Sequence, residues 1–135
     1  MMNSRTVTGS AETDLEADAI MGILMNPQNI PTWAPSFADH IAAAGANTWN
    51  VTKGERTFLL DVVVEQRIGT VDYLRDMPAG GKSGAYIRVV DGPTGGSVVV
   101  MTLPIPPDSS YDRVATILDQ ELNALIRLAR SRPGR

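Results

Sequence analysis

Residues 109–130, SSYDRVATILDQELNALIRLAR, decide how the rest of the chain must be read. Tyr111, Val114, Ala115, Leu118, Leu122, Leu125, Ile126 and Ala129 recur at three- and four-residue spacing, the signature of one apolar stripe on a long amphipathic helix. Asp112, Arg113, Asp119, Gln120, Asn123 and Arg127 fall mostly off that stripe. Ser109 or Ser110 can cap the free amides. Asp112 and Glu121 lie toward the N-terminal side and Arg127 and Arg130 in the last turns, as the helix dipole favours. Pro133-Gly134 supplies the stop. Such a helix is roughly 30 Å long at 1.5 Å per residue. It needs an apolar partner of similar length.

The whole chain has 135 residues, which is the size of a single domain, and 43% of them are hydrophobic. That allows a core without staples. The tail from about residue 131 is expected to be loose. There is no cysteine, so disulfides and thiolate chemistry are excluded. A formal charge of −3 argues against a nucleic-acid surface. The arginines at 127, 130, 132 and 135 fit a helix end and a solvated tail. The apolar run Ile20–Met25 is far too short to span a bilayer, and no signal peptide is visible behind Arg5. The expectation is a soluble cytoplasmic protein without membrane insertion.

Upstream of the helix, Ser4–Ser10 reads as a first strand. Thr13-Asp14-Leu15-Glu16 fits a capping box opening a helix that Asn26-Pro27 ends. Asn26–Pro35 (NPQNIPTWAP) is a stiff loop or a broken short helix, with Trp33 between Pro31 and Pro35. From Phe37 the apolar period becomes two. Strands are expected at Asp39–Ala44, Asn47–Thr52, Arg56–Gln66, Ile68–Asp76, Ala85–Asp91 and Ser97–Leu103, joined by turns such as Lys53-Gly54. The class is α+β, with short helices after the first strand and then a meander. About seven strands at 4.8 Å spacing make a sheet nearly 30 Å wide, whereas a helix is about 10–12 Å across. The sheet must curl around the C-terminal helix or bury its remainder against another subunit, and curling encloses a cavity.

Turn positions fix register and register fixes faces. Turns at Lys53-Gly54, near Arg67, near Gly80 and near Pro93-Thr94 set Trp49 opposite Phe58, Val62 opposite Asp72, Asp72 opposite Arg88, and Tyr86 opposite Met101. The inner face would then carry Trp49, Phe58, Leu60, Val62, Val64, Thr70, Asp72, Leu74, Tyr86, Arg88, Val90, Val99, Met101 and Leu103. Asp72 and Arg88 would form a cross-strand charge pair amid apolar neighbours. It reads either as a structural ion pair at a cavity rim or as a polar handle that orients a ligand. The outer face would carry Leu59, Val63, Val71, Tyr73, Ile87, Val89, Val98 and Val100. An apolar patch of that size suggests a homodimer through the sheet. Its rival is that the faces are reversed in some strands.

The run Asp14–Phe37 (DLEADAIMGILMNPQNIPTWAPSF) resembles the START-related helix-grip (SRPBCC) superfamily, in its bacterial polyketide cyclase/dehydratase and lipid-transport branch. Asn26, Pro27, Asn29 and Trp33 match the segment that follows the first helix. Thr48–Gly54, Gly69–Tyr73 and Tyr86-Ile87-Arg88-Val89 stand where the family's strands stand. The resemblance implies a curved antiparallel sheet gripping the C-terminal helix with a ligand cavity between them. Members bind lipids, hormones, quinone-like molecules or polyketides, and only some are enzymes. No shared catalytic motif exists to carry over. Trp33, Asp72 and Arg88 are family-like positions.

His40 is the only histidine and no G-x-S-x-G elbow accompanies it, so a hydrolase triad is not indicated. Zinc and calcium spacings are missing, and no cofactor is expected. The leading expectation is a binder of a small hydrophobic or amphipathic molecule. Trp33, Trp49, Phe58, Met101 and Leu118 would supply apolar contact, and Asp72, Arg88, Tyr86 and Tyr111 would orient a polar group. The alternative is a polyketide-type cyclase or dehydratase, with Asp72 as acid or base and Arg88 stabilising an enolate. A third is a protein-interaction module without a ligand.

Overall fold

The computed structural model describes residues 5–132. Its elements in chain order are β1 (Thr6–Thr13), α1 (Ala17–Leu24), a single 3-10 turn (Pro27–Asn29), α2 (Ile30–Trp33), β2 (His40–Ala43), β3 (Thr48–Lys53), β4 (Arg56–Glu65), a second 3-10 turn (Gln66–Ile68), β5 (Thr70–Asp76), β6 (Lys82–Asp91), β7 (Ser97–Pro104) and α3 (Tyr111–Arg130). The strands form one seven-stranded antiparallel sheet in the order β1-β7-β6-β5-β4-β3-β2. This is the α+β helix-grip arrangement. The first strand is an edge paired with the last, β7, and the meander runs back from β7 to the other edge at β2.

α3 forms where its stripe predicts. Ser110 caps it, its hydroxyl accepting from the Arg113 amide at 3.2 Å. Val114, Leu118, Leu122, Leu125 and Ala129 are buried. Gly9 on β1 is what lets the helix approach, since a Cβ there would sit 2.6 Å from Leu118 Cδ2. α3 packs over β1 and β7, α1 packs against α3 and β6, and α2 lies against α3 and β2. One rod of helix therefore does not cover the sheet alone; the two short helices share the task.

The segment after α1 is built by its side chains. Asn26 accepts from the Gln28 amide at 3.1 Å and caps the 3-10 turn. Asn29 is buried, donates to the Ile23 carbonyl at 3.0 Å, and accepts from the Arg132 guanidinium at 3.0 Å. Asn29 thus ties the end of α1 to the end of α3. Ser131 and Arg132, expected to be loose, keep backbone bonds to the last turn of α3. Ser4 and the Pro133-Gly134 stop lie outside the described residues.

Three local expectations need correction. Thr13 does not open a capping box. It ends β1, and its hydroxyl accepts from the Leu15 amide at 3.2 Å, while Glu16 occupies the N-cap without a side-chain bond. The β3–β4 hairpin turns at Gly54-Glu55 and pairs Lys53 with Arg56. Trp49 therefore faces Leu60 and Val51 faces Phe58, a two-residue slip that leaves the faces unchanged.

The third correction moves the candidate site. The β4–β5 loop holds four residues, Gln66 to Gly69, between paired Glu65 and Thr70. Gly69 closes it at φ +69°, where its backbone meets the Val89 carbonyl so closely that a Cβ would lie 2.1 Å away. Val62 consequently pairs with Tyr73, and Val63 with Asp72. Every side chain of β5 and β6 is turned to the opposite face from that expected. The β6–β7 loop, Gly92 to Gly96 between paired Asp91 and Ser97, introduces a second one-residue slip. β7 returns to the expected face. The inner face is thus Val51, Leu60, Val62, Val71, Tyr73, Ile87, Val89, Val99 and Met101, all buried.

Candidate functional site

A cavity of about 240 Å³ lies between the inner face of the sheet and α3. α2 contributes Ile30 and Trp33, β5 contributes Tyr73 and Arg75, β6 contributes Gly84 and Ala85, and α3 contributes Val114, Ile117 and Glu121. Phe37, Met77, Leu103 and Pro106 complete the wall. Most of this lining is apolar, so its polar members identify what the cavity can hold.

Glu121 is the exceptional one. It sits on the buried stripe of α3, only 6% exposed, and accepts no hydrogen bond and joins no ion pair among the described residues. It lines the cavity, and its oxygens are not sealed off as the Trp33 indole nitrogen is. Burial pushes the carboxyl up to about 7. The signal was present in the sequence, because position 121 is three after Leu118 and four before Leu125. In sequence it stands equally as a charge that the helix dipole favours.

Tyr73 has its hydroxyl committed, donating to the Leu24 carbonyl at 2.6 Å. Burial pushes that phenol far up, so it stays protonated. Trp33 stacks at a tilt on Tyr73 with centroids 6.2 Å apart, and its indole N–H is buried without an acceptor. Arg75 lies on the inner face with its guanidinium 3.9 Å over the Phe58 ring, and Phe37 meets Phe58 edge-on at 5.5 Å. Arg75 forms no ion pair with Glu121 or with any other described carboxylate.

The residues singled out from sequence divide accordingly. Trp33 lines this cavity. Phe58 supports Arg75 from beneath, and Met101 and Leu118 are buried core beside it without lining it. Trp49 lines a separate, open hollow of about 660 Å³ with Met25, Pro27, Asp61 and Lys82, where β4 runs on past β3. Asp72, Tyr86 and Arg88 are not in the cavity. The slip at Gly69 puts them on the outer face, where Asp72 pairs with Tyr86, and Arg88 pairs with Thr70 and Val100. The expected charge pair does not exist. Partial burial among outer-face neighbours pushes the Asp72 carboxyl upward. Tyr111 is 50% exposed at the start of α3. His40 is exposed on the edge strand β2.

The outer face is correspondingly less apolar than expected. Val71, Tyr73, Ile87 and Val89 leave it for the core, while Leu59, Val63, Val98 and Val100 remain, with Tyr86 and Val90 added. Among the described residues, no three His, Asp or Glu side chains gather as a metal site requires, and no helix is long and apolar enough to cross a membrane.

No protein-family model matches the chain. No curated protein matches it either. Solved structures do share its fold. An uncharacterised protein from Bacillus thuringiensis is 16% identical, covers 92% of this chain and 98% of its own, and superposes with a TM-score of 0.66. A protein from Mesorhizobium loti is 19% identical over 94% of this chain and 98% of its own, also at 0.66. The aromatase/cyclase Zhui from a Streptomyces species is 16% identical over 96% of each chain, with a TM-score of 0.62. At these identities the likeness is one of fold.

Proposed function

We propose that the protein binds a small, largely apolar molecule between its sheet and α3. The observation that carries this is Glu121, an unpartnered carboxyl lining a mostly apolar cavity. A buried carboxyl without a partner is costly, and a plain core would hold leucine there. An apolar wall with a few polar groups is how small-molecule sites are built. The reading agrees with what the resemblance to START-related helix-grip proteins implies, including its polyketide cyclase/dehydratase and lipid-transport branch.

A second reading, an enzyme of the cyclase or dehydratase kind, is favoured by one feature. Glu121 is held near neutrality, where a carboxyl can both give and take a proton. Zhui, which shares the fold, is named an aromatase/cyclase. Glu121→Gln keeping affinity but losing turnover would select this reading over a carrier. As a separate matter, the outer-face residues Leu59 and Val63 support a sheet-to-sheet homodimer. Sedimentation showing only monomer at high concentration would rule that out.

The test is native mass spectrometry of protein purified from its own host, beside an Ala85→Leu variant that fills the cavity. The reading expects a retained small molecule on the wild type and none on the variant. Bare wild-type protein whose amide spectrum is also unmoved by p-ethylphenol overturns it.

A further inference from the structure

The cavity carries a positive group on its sheet wall and a carboxyl on its helix wall, and the two do not meet. Arg75 projects from β5, Glu121 from α3, and both line the same space of about 240 Å³. Neither forms an ion pair within 4.0 Å among the described residues. Opposite charges that share an apolar space attract strongly when they can touch. Something in the packing holds these apart.

For Arg75 the restraint is visible. Its guanidinium lies 3.9 Å over the Phe58 ring, and Phe37 braces that ring edge-on at 5.5 Å. Stacking occupies the face of the guanidinium and leaves the in-plane N–H fork free. No described side chain or carbonyl accepts from that fork. A planar fork presented in this way suits a carboxylate, which accepts two parallel bonds.

Across the cavity, Glu121 can donate when protonated and accept when ionised. A ligand hydroxyl complements both states, because it too can donate or accept. The same lining includes Ile30, Trp33, Ala85 and Ile117, which suit a ring or a short hydrocarbon.

We infer that the ligand is a small hydroxy-carboxylate with an apolar body, its carboxylate on the Arg75 fork and its hydroxyl on Glu121. The inference rests on the cavity being the binding site and adds which chemical class enters it and in which direction. The carboxylate end lies toward β5 and the hydroxyl end toward α3.

The experiment is calorimetric titration of the full chain with three probes: p-hydroxyphenylacetate, phenylacetate, which lacks the hydroxyl, and p-ethylphenol, which lacks the carboxylate. A charge-assisted bond made in the complex is expected to be worth about tenfold in affinity. p-Hydroxyphenylacetate should therefore bind about tenfold tighter than either analogue. Arg75→Gln should erase its advantage over p-ethylphenol, and Glu121→Leu its advantage over phenylacetate. Glu121→Leu removes an unpaired buried carboxyl, so its fold is retained. If p-ethylphenol binds the wild type but not Ala85→Leu, and p-hydroxyphenylacetate binds no tighter than p-ethylphenol, the hydroxy-acid assignment is overturned and the cavity reading survives. If no probe binds the wild type, the hydroxy-acid assignment is overturned, and the cavity reading falls with it when the purified protein is also bare.

Discussion

The hydroxyl of Tyr73 donates to the carbonyl of Leu24 at 2.6 Å, joining the inner face of β5 to the last turn of α1. The bond spans 49 positions in sequence and is buried. It holds α1, and the segment leading to Trp33, over the cavity wall.

Tyr73→Phe leaves that carbonyl buried and unpaired. The expected loss is about 1–3 kcal/mol of stability, read from the midpoint of denaturant unfolding. Amide exchange should quicken most in α1 and α2. A loss spread evenly over the sheet would show that the bond does not anchor α1.

Glu121 makes stability depend on pH with a definite sign. Its folded value is raised to about 7 from the ordinary 4.5. Below the ordinary range both states hold the proton and the group contributes fully. As pH rises toward 7 the unfolded chain releases its proton first, so stability is lost until the folded value is passed. The total is on the order of 3 kcal/mol. The difference between wild type and Glu121→Gln should grow across this window and then level. A constant difference would place the carboxyl in water.

Asp72 and Arg88 supply the counter-test. Both lie on the outer face, each paired across the sheet with residues other than the other. Arg88→Gln should change stability by less than about 0.5 kcal/mol and leave probe binding unchanged. A large loss of affinity would return these strands to the face first expected for them.

Gly69→Ala should be among the more damaging small substitutions. The position has φ +69° and the new Cβ would meet the Val89 carbonyl at 2.1 Å. A cost of roughly 2–3 kcal/mol is expected, measured by thermal unfolding. A neutral result would mean that the β4–β5 loop can take another register.

That loop also explains what could be read from the sequence and what could not. α3 was legible because its stripe and its Ser110 cap agree. The meander was legible because turn residues separate runs of period two. The face of β5 was legible in composition but not in turn position: Val71 and Tyr73 share one parity and Asp72 stands at the other, as Ile87 and Val89 stand against Arg88 on β6. Register counted from the turns overrode that alternation, and the helical turn from Gln66 to Ile68 adds one residue that the count omits. The slip after Gly92 cancels the first, which is why Val99 and Met101 were placed correctly while Asp72, Tyr86 and Arg88 were not. Glu121 was missed for another reason. A charge on a helix reads as solvated unless the stripe is followed through it.

The most direct measurement is a carbon-13 titration of the Glu121 carboxyl by NMR, run with and without p-ethylphenol. The account predicts a midpoint near 7 in the free protein and a displaced midpoint when the probe is bound. A midpoint in the ordinary carboxylate range, indifferent to the probe, would contradict it.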